Sequence, residues 1–441
     1  MKESVHMKIT IVGGGSYAWM PSILPNIVNN DYLSGSEIVL YDLSEAALAH
    51  TLEYGRRLVA ARPESRAVFS KALDLSAAVD GADYLVMAIS QGGLRAELDD
   101  HVIARKYGYY NLKGSEVGIA GASRTLRHVR EAVRIAKIME ERCPGAMFLN
   151  VTNPLSAITR SVNKYTSIKA AGFCHGVVNH TEMLMPFFGA ERFEDIEFNV
   201  AGIDHCSWLL DLRFHGRDAL EIIRQSGLVE IAKTGESVGT YNDPFAGEEH
   251  QRLRLLIFDA LGYMPGISDE HIVEFFGELM GSEELRKHYK VTYDRIAERT
   301  KAVSTDKQEF IEMLDGKLPL RTESSAEIID RFIVALEGGG SIVDVVNYPN
   351  HGQICNLPNE MVVETLCHVS STGVHPLITG GLPPILESIV RPAALREELY
   401  MRAGIEEDTS ILRAALATDP LVHDFRQINE ICDELMRYNI T

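Results

Sequence analysis

Lys8-Ile9-Thr10-Ile11-Val12-Gly13-Gly14-Gly15-Ser16 is the stretch whose reading decides the architecture of this 441-residue chain. A β-branched apolar run stops at a glycine triplet, and a helical pattern starts near Met20. The spacing Gly13-x-Gly15-x-x-Ala18 fits G-x-G-x-x-G/A, a turn from strand to helix that cradles a dinucleotide. The first glycine makes the tight turn, the second lets a diphosphate approach the backbone, and a small third residue lets helix pack on strand. Ser16 then stands where the helix N-terminus faces phosphate. Glycine triplets also make plain loops, so the neighbouring strands carry the rest of the argument.

Glu37 to Tyr41 reads as a second strand ending on Asp42, where an acidic residue would meet an adenosine ribose. The other reading of Asp42 is a cap for the helix that starts near Ser44. Further strands follow at 67–73, 83–89, 146–151 and 168–173. Their carboxyl ends deliver Ser90, Asn153 and Cys174. Ligands of open parallel sheets bind beyond those ends, so Gly13, Gly15, Ser16, Asp42, Ser90, Asn153 and Cys174 should share one crevice. The expected fold is α/β: an N-terminal Rossmann-type doubly wound sheet with an interleaved C-terminal α+β domain. We place the first domain at 7–190 and the second at 191–441.

Between the fourth and fifth strands lies a glycine-punctuated segment carrying Arg95, Asp99, Lys113, Glu116, Arg124 and Arg127. It reads as an ordered loop reaching over the crevice, followed by a helix to about Glu141. Arg95 and Arg127 are the preferred substrate-facing cations, against the plain alternative of a solvated helix face. Cys174-His175-Gly176-Val177 and Asp204-His205 then supply a thiol and an imidazole that together suit a divalent metal. A buried core cysteine and a hydrogen-bonded strand histidine are the bland readings. Beyond residue 190 the pattern turns to strands at 197–203 and 207–214, helices from 245 to 340, and strands at 341–347 and 361–367. Gly262 to Gly266 reads as a turn, with Ser268 the N-cap of the helix that follows.

The composition is that of an ordinary globular protein, with 46% hydrophobic and 24% charged residues. A formal charge of -19 argues against nucleic acid or an anionic membrane surface as partner. No signal peptide and no membrane-length apolar run is evident. Six scattered cysteines without CxxC pairing suggest reduced thiols, hence a cytoplasmic protein.

Assembled in order, these residues resemble glycoside hydrolase family 4, the NAD- and manganese-dependent glycosidases. The resemblance runs from Lys8 to about Met436. Its markers are Ile11 to Ser16, Leu40-Tyr41-Asp42, Arg95 with Lys106-Tyr107-Gly108, Val151 to Pro154, Cys174 to Val177 and Ala201 to His205. Asn356-Leu357-Pro358, Val362-Val363-Glu364 and Gly380 to Pro383 complete the set. The resemblance implies a redox-neutral elimination, unlike two-carboxylate glycosidase chemistry. NAD takes hydride from C3 of the sugar, the C2 proton is lost, the C1 substituent leaves, water adds, and hydride returns. A metal beside the C2 and C3 oxygens stabilises the charge that develops.

By the same resemblance, Cys174 and His205 are the metal ligands, for Mn2+ or another divalent metal, and Asn153 binds substrate. Asp204 departs from the asparagine common before that histidine and adds a negative charge. A thiolate with an imidazole would by itself suggest zinc, so manganese rests on the family. His175-Gly176-Val177 resembles the members acting on unphosphorylated, α-linked sugars, including α-glucosidases, α-galactosidases, α-galacturonidases and α-glucuronidases. A uronide would need a cation, from Arg95, Lys113, Arg124 or Arg127. His271 is the expected catalytic base, with Tyr263 behind it and His175 as an acid for the leaving group. The family implies a homodimer or homotetramer acting on a small glycoside. The competing readings are an NAD-dependent 2-hydroxy acid dehydrogenase of the lactate/malate type and a non-catalytic nucleotide sensor.

Overall fold

A computed structural model describes residues 6–234, 251–289, 291 and 295–440. The polar lead-in expected before His6, and the first residues of the helical stretch expected from 245, lie outside the described set. Thirteen strands among the described residues form one sheet. They are β1 (Lys8–Val12), β2 (Glu37–Tyr41), β3 (Val68–Ala72), β4 (Tyr84–Met87), β5 (Met147–Asn150) and β6 (Lys169–Gly172) in the first part of the chain. The remainder are β7 (Ile196–Ile203), β8 (Cys206–Phe214), β9 (Arg217–Asp218), β10 (Met264–Pro265), β11 (Ile342–Pro349), β12 (Val362–Ser370) and β13 (Gly373–Pro376).

The first six run parallel in the order β3-β2-β1-β4-β5-β6, which is the doubly wound dinucleotide-binding arrangement. The order reverses between β1 and β4, and the crevice opens there. Residue alternation along β4 shows why both faces are covered. Tyr84 and Val86 pack with Ile9, Ile11, Leu24 and Phe332, whereas Leu85 and Met87 pack with Val12, Val129 and Ile158. Each such buried aliphatic side chain contributes roughly 1.5–3 kcal/mol of burial free energy.

The second half does not stand apart. It extends the same sheet as β6-β11-β12-β7-β8-β10, with antiparallel pairing from β11 onward. The two halves meet at one pair, Asn347 opposite Gly172. A Cβ on Gly172 would lie 2.8 Å from Thr159 Oγ1 and 3.1 Å from Asn347 Cβ, so the seam needs glycine there. The expected α/β fold with an interleaved C-terminal part is what the sheet shows. Three details differ from expectation. Met264–Pro265, read as part of a turn, pairs with Leu209 and Trp208 as β10. Val374 and its neighbours fold back on β12 as β13, a hairpin that short apolar runs did not signal. Ser268 does sit at the N-cap of Asp269–Ile272, but its hydroxyl makes no capping bond.

Candidate active site

Gly13 has φ +93°, and a Cβ on it would fall 2.1 Å from the carbonyl oxygen of Ala88. No L side chain fits, so the β1 turn can lie against β4 only with glycine. Gly15 donates its N–H to Asp42 Oδ2 at 3.1 Å, and Ser44 N–H donates to Asp42 Oδ1 at 2.9 Å. Ser44, not Asp42, caps the helix Glu45–Ala61 through its hydroxyl. Asp42 therefore holds the glycine turn and lines the crevice, which removes the capping reading. Ser16 Oγ accepts from Trp19 N–H ahead of the helix Met20–Asn29.

The crevice is a cavity of about 930 Å³. Gly13, Ser16, Asp42, Ser90, Asn153 and His271 line it, whereas Cys174, expected in the same crevice, does not. Lys113, Ser115, Arg124 and Arg299 reach it as well. Asn153 enters a cis peptide with Pro154, at the start of helix Leu155–Tyr165. The loop after β4 is held by His128, whose Nε2 accepts from Gln91 N–H at 3.1 Å while Nδ1 donates to the Arg124 carbonyl at 2.8 Å. Burial, and then Arg124 and Arg127, keep that imidazole well below its usual pKa, so it stays neutral in this role.

Beyond His271 lies a second cluster. The ring centroids of His205 and His271 are 4.0 Å apart. Cys174 arrives from the end of β6, and Asp204-His205 form the two-residue tip of the β7–β8 hairpin. Hairpin tips normally face water, yet Asp204 is 0% and His205 4% exposed. His205 also has φ +59°, a strained backbone for a residue with a Cβ and the sort of cost that gathers at working sites. Cys174 Sγ is 3.9 Å from His205 Nε2, and Asp204 Oδ2 is 3.6 Å from the same nitrogen. One ligand atom from each of the three lies within 4.8 Å of the other two.

The opposite ring nitrogen, His205 Nδ1, meets Glu116 Oε2 at 2.9 Å. With its proton given to that carboxylate, the imidazole presents the Nε2 lone pair to Cys174 and Asp204. Glu364 and Glu116 add buried carboxylates around the group. Both Asp204 oxygens and Glu116 Oε1 have no hydrogen-bond partner among the described residues. Burial raises the Cys174 thiol well above its usual range, with Asp204 and Glu364 adding to it. Burial likewise raises Asp204 and Glu116. Orphaned buried carboxyl groups crowded on a thiol and an imidazole are a donor set that fits a divalent cation, whose charge would favour their ionised forms.

Four expected residues lie elsewhere. Arg127 is a correction: it is 8% exposed and forks both oxygens of buried Asp100 at 2.7 and 2.6 Å, so it braces the helix and does not face substrate. Arg124, one turn earlier, faces the crevice. Arg95 stands outside with its side chain 92% exposed, 3.7 Å from Asp99. Tyr263 packs on the apolar cluster around Ile203 and Trp208 and does not line the crevice. His175 adjoins Cys174 but turns its Nδ1 to Glu327 Oε1 at 2.5 Å, in a small separate cavity. Glu116 is named from the sequence only as one charge of the segment over the crevice, with no part in the metal cluster, and Arg299 not at all. Glu116 pairs across 89 residues, which no local pattern encodes.

Residues 8–189 match the Family 4 glycosyl hydrolase profile, and 200–422 its C-terminal domain. The chain belongs to glycosyl hydrolase family 4. An alpha-galacturonidase of Bacillus subtilis (strain 168) is 31% identical over 94% of this chain and 93% of its own. A crystal structure of a glucosidase, lplD, from Bacillus subtilis superposes with a TM-score of 0.88 at 28% identity, covering 98% of this chain and 100% of that one. A 6-phospho-alpha-glucosidase from gut microorganisms, solved with NAD and Mn2+, superposes at 0.82 with 19% identity over 99% and 98%. That last likeness speaks for the fold. Family membership makes the chain a glycosidase. No helix among the described residues is long and apolar enough to cross a membrane.

Proposed function

We propose that this family 4 glycosidase hydrolyses α-linked uronides, galacturonides first among them, with NAD and a divalent metal as cofactors. The observation that carries the reading is the junction at His271, which lines the nucleotide crevice and lies 4.0 Å, ring to ring, from His205 of the metal-ligand cluster. A redox cofactor and a Lewis acid would thereby act on one sugar. When bound, NAD supplies a reversible hydride acceptor, and the metal supplies positive charge beside the sugar hydroxyl oxygens.

The chain's own residues do the rest. Cys174 and His205 hold the metal, and Glu116 fixes the tautomer that makes Nε2 the ligand. Asn153 orients sugar hydroxyls at the crevice wall. His271 takes the proton from the sugar carbon next to the oxidised one, a task to which imidazole is the side chain most often put.

The uronide assignment rests on His175-Gly176-Val177, on the alpha-galacturonidase relative, and on Arg124. Arg124 Nε is buried without a hydrogen-bond partner among the described residues. Burial pulls its guanidinium below the usual range, with Glu97 opposing that fall. A carboxylate on the substrate would supply the missing partner, and Lys113 would share it.

The test is a panel of p-nitrophenyl α- and β-glycosides, with neutral, uronic and 6-phosphorylated sugars, leaving out NAD or Mn2+ in turn. Turnover of the α-galacturonide that needs both and accumulates no NADH is the expected result. Turnover of neutral galactoside alone would overturn the uronide assignment. Stoichiometric NADH from 2-hydroxy acids would overturn the glycosidase reading in favour of a dehydrogenase.

A further inference from the structure

Asp204 is the residue of the cluster that remains unexplained. Its carboxylate is 0% exposed, and neither oxygen has a hydrogen-bond partner among the described residues. The charged groups that face it are the imidazole of His205 and the carboxylates of Glu364, Glu116 and Glu397. An acid buried for structural reasons would be given backbone N–H donors, as Asp269 and Glu274 are in this same protein. Asp204 is instead given nothing but a 3.6 Å approach to the nitrogen that its neighbour turns toward Cys174.

We infer that Asp204 is a third protein ligand of the metal, completing a Cys174–Asp204–His205 triad. This rests on the metal reading of the site given above. Ligand atoms 2.0 to 2.3 Å from one ion lie roughly 3 to 4 Å from each other, and the spacings of 3.9 and 3.6 Å fall in that range. Charge supplies an independent reason. A thiolate and a carboxylate as ligands together match the charge of a dication without help from substrate. With a neutral side chain at 204, one positive charge would stay uncompensated in a dry site. The added hard oxygen also moves the donor set away from pure zinc chemistry toward manganese. The ion is thus held by the resting protein before NAD or sugar arrives.

The experiment uses the full chain stripped of metal, and titrates Mn2+ alone while following the free-ion EPR signal. Wild type should bind one ion, and Asp204→Asn should weaken binding by more than 100-fold, beyond the roughly 10- to 100-fold cost of an outer-shell partner. NAD affinity, measured in parallel, should be unchanged in the variant and certifies its fold. Binding by Asp204→Asn within threefold of wild type would overturn the inference while leaving the metal site standing. Failure of wild type to bind Mn2+ would overturn both. If the variant does not fold, wild type carrying 13C at its aspartate carboxyls decides the matter. A strong 13C coupling to Mn2+ in ENDOR supports ligation, and its absence overturns it.

Discussion

Glu116 Oε2 and His205 Nδ1 stand 2.9 Å apart, although 89 residues separate them in the chain. The contact ties the loop after helix Gly93–Lys106 to the tip of the β7–β8 hairpin. It also sets which nitrogen of His205 is free to bind metal. Glu116→Gln keeps the shape but replaces the carboxyl with an amide. Its Mn2+ affinity should fall roughly 10- to 100-fold, the range for partners that orient a ligating histidine. Metal titration by EPR or calorimetry checks this, and unchanged affinity would show the pair to be structural only.

Gly13→Ala should abolish nucleotide binding before it abolishes folding. The added Cβ would need space taken by the Ala88 carbonyl, 2.1 Å away, at a φ of +93°. The strain costs on the order of 1–3 kcal/mol, which a domain of this size can survive. NAD titration by fluorescence, alongside a thermal melt, separates the two effects. Binding at wild-type strength would mean the turn is not the cofactor's seat.

His271 and Tyr263 were alternatives for the same proton transfer, and their surroundings now divide them. His271→Gln should lower kcat by roughly 10² to 10⁴ with little change in KM, the usual range for loss of a general base. Tyr263→Phe should leave kcat within a few-fold, since its ring sits in an apolar cluster. The reverse pattern in steady-state kinetics would exchange their roles.

Arg124→Met should discriminate against uronic acids. Losing a charge-assisted contact to the sugar carboxylate costs roughly 1.5–3 kcal/mol, or about 10- to 100-fold in kcat/KM. The neutral galactoside, measured with the same variant, should lose far less. Equal losses on both sugars would place Arg124 with the cofactor.

Asp269 gives the protein a defined pH response. Burial pushes its carboxyl up to about 7, and the N–H groups of Leu253 and Arg254 only partly oppose the shift. The folded state therefore binds this proton more tightly than the unfolded chain does. Its contribution is fully present below the ordinary aspartate value of 3.8 and is lost as pH rises through about 7. Asp269→Asn should flatten that dependence, by on the order of 4 kcal/mol between pH 4 and 8. Urea denaturation of both proteins at those two pH values measures the difference.

Much of this was legible in the chain itself. Lys8 to Ser16 and Glu37 to Asp42 announce a nucleotide fold because strand, glycine and acid fall at spacings that only one turn satisfies. Cys174 and His205 were readable as a pair only through their ordered context. Arg124 and Arg127 show where reading stops. They are the same residue type one helical turn apart, and nothing local says that Asp100 waits for one and open crevice for the other. Glu116 is hidden for a related reason, since its partner is set by how sheet and loop pack. The β6–β11 seam is likewise invisible, because the strands it joins are about 170 residues apart and its specification is a bare Gly172.

That seam also orders events in time. All three proposed metal ligands have been synthesised once the ribosome reaches His205. Within the sheet, however, the hairpin bearing two of them connects to β6 through β12 and β11, which lie at 342–370. A chain emerging from the ribosome carries the thiol, the carboxylate and the imidazole for well over a hundred residues before it has a sheet to align them. Metal capture is in this sense a receipt for translation past 370: a chain cut short of β11 and β12 owns every ligand but lacks the strands that seat the hairpin in the sheet.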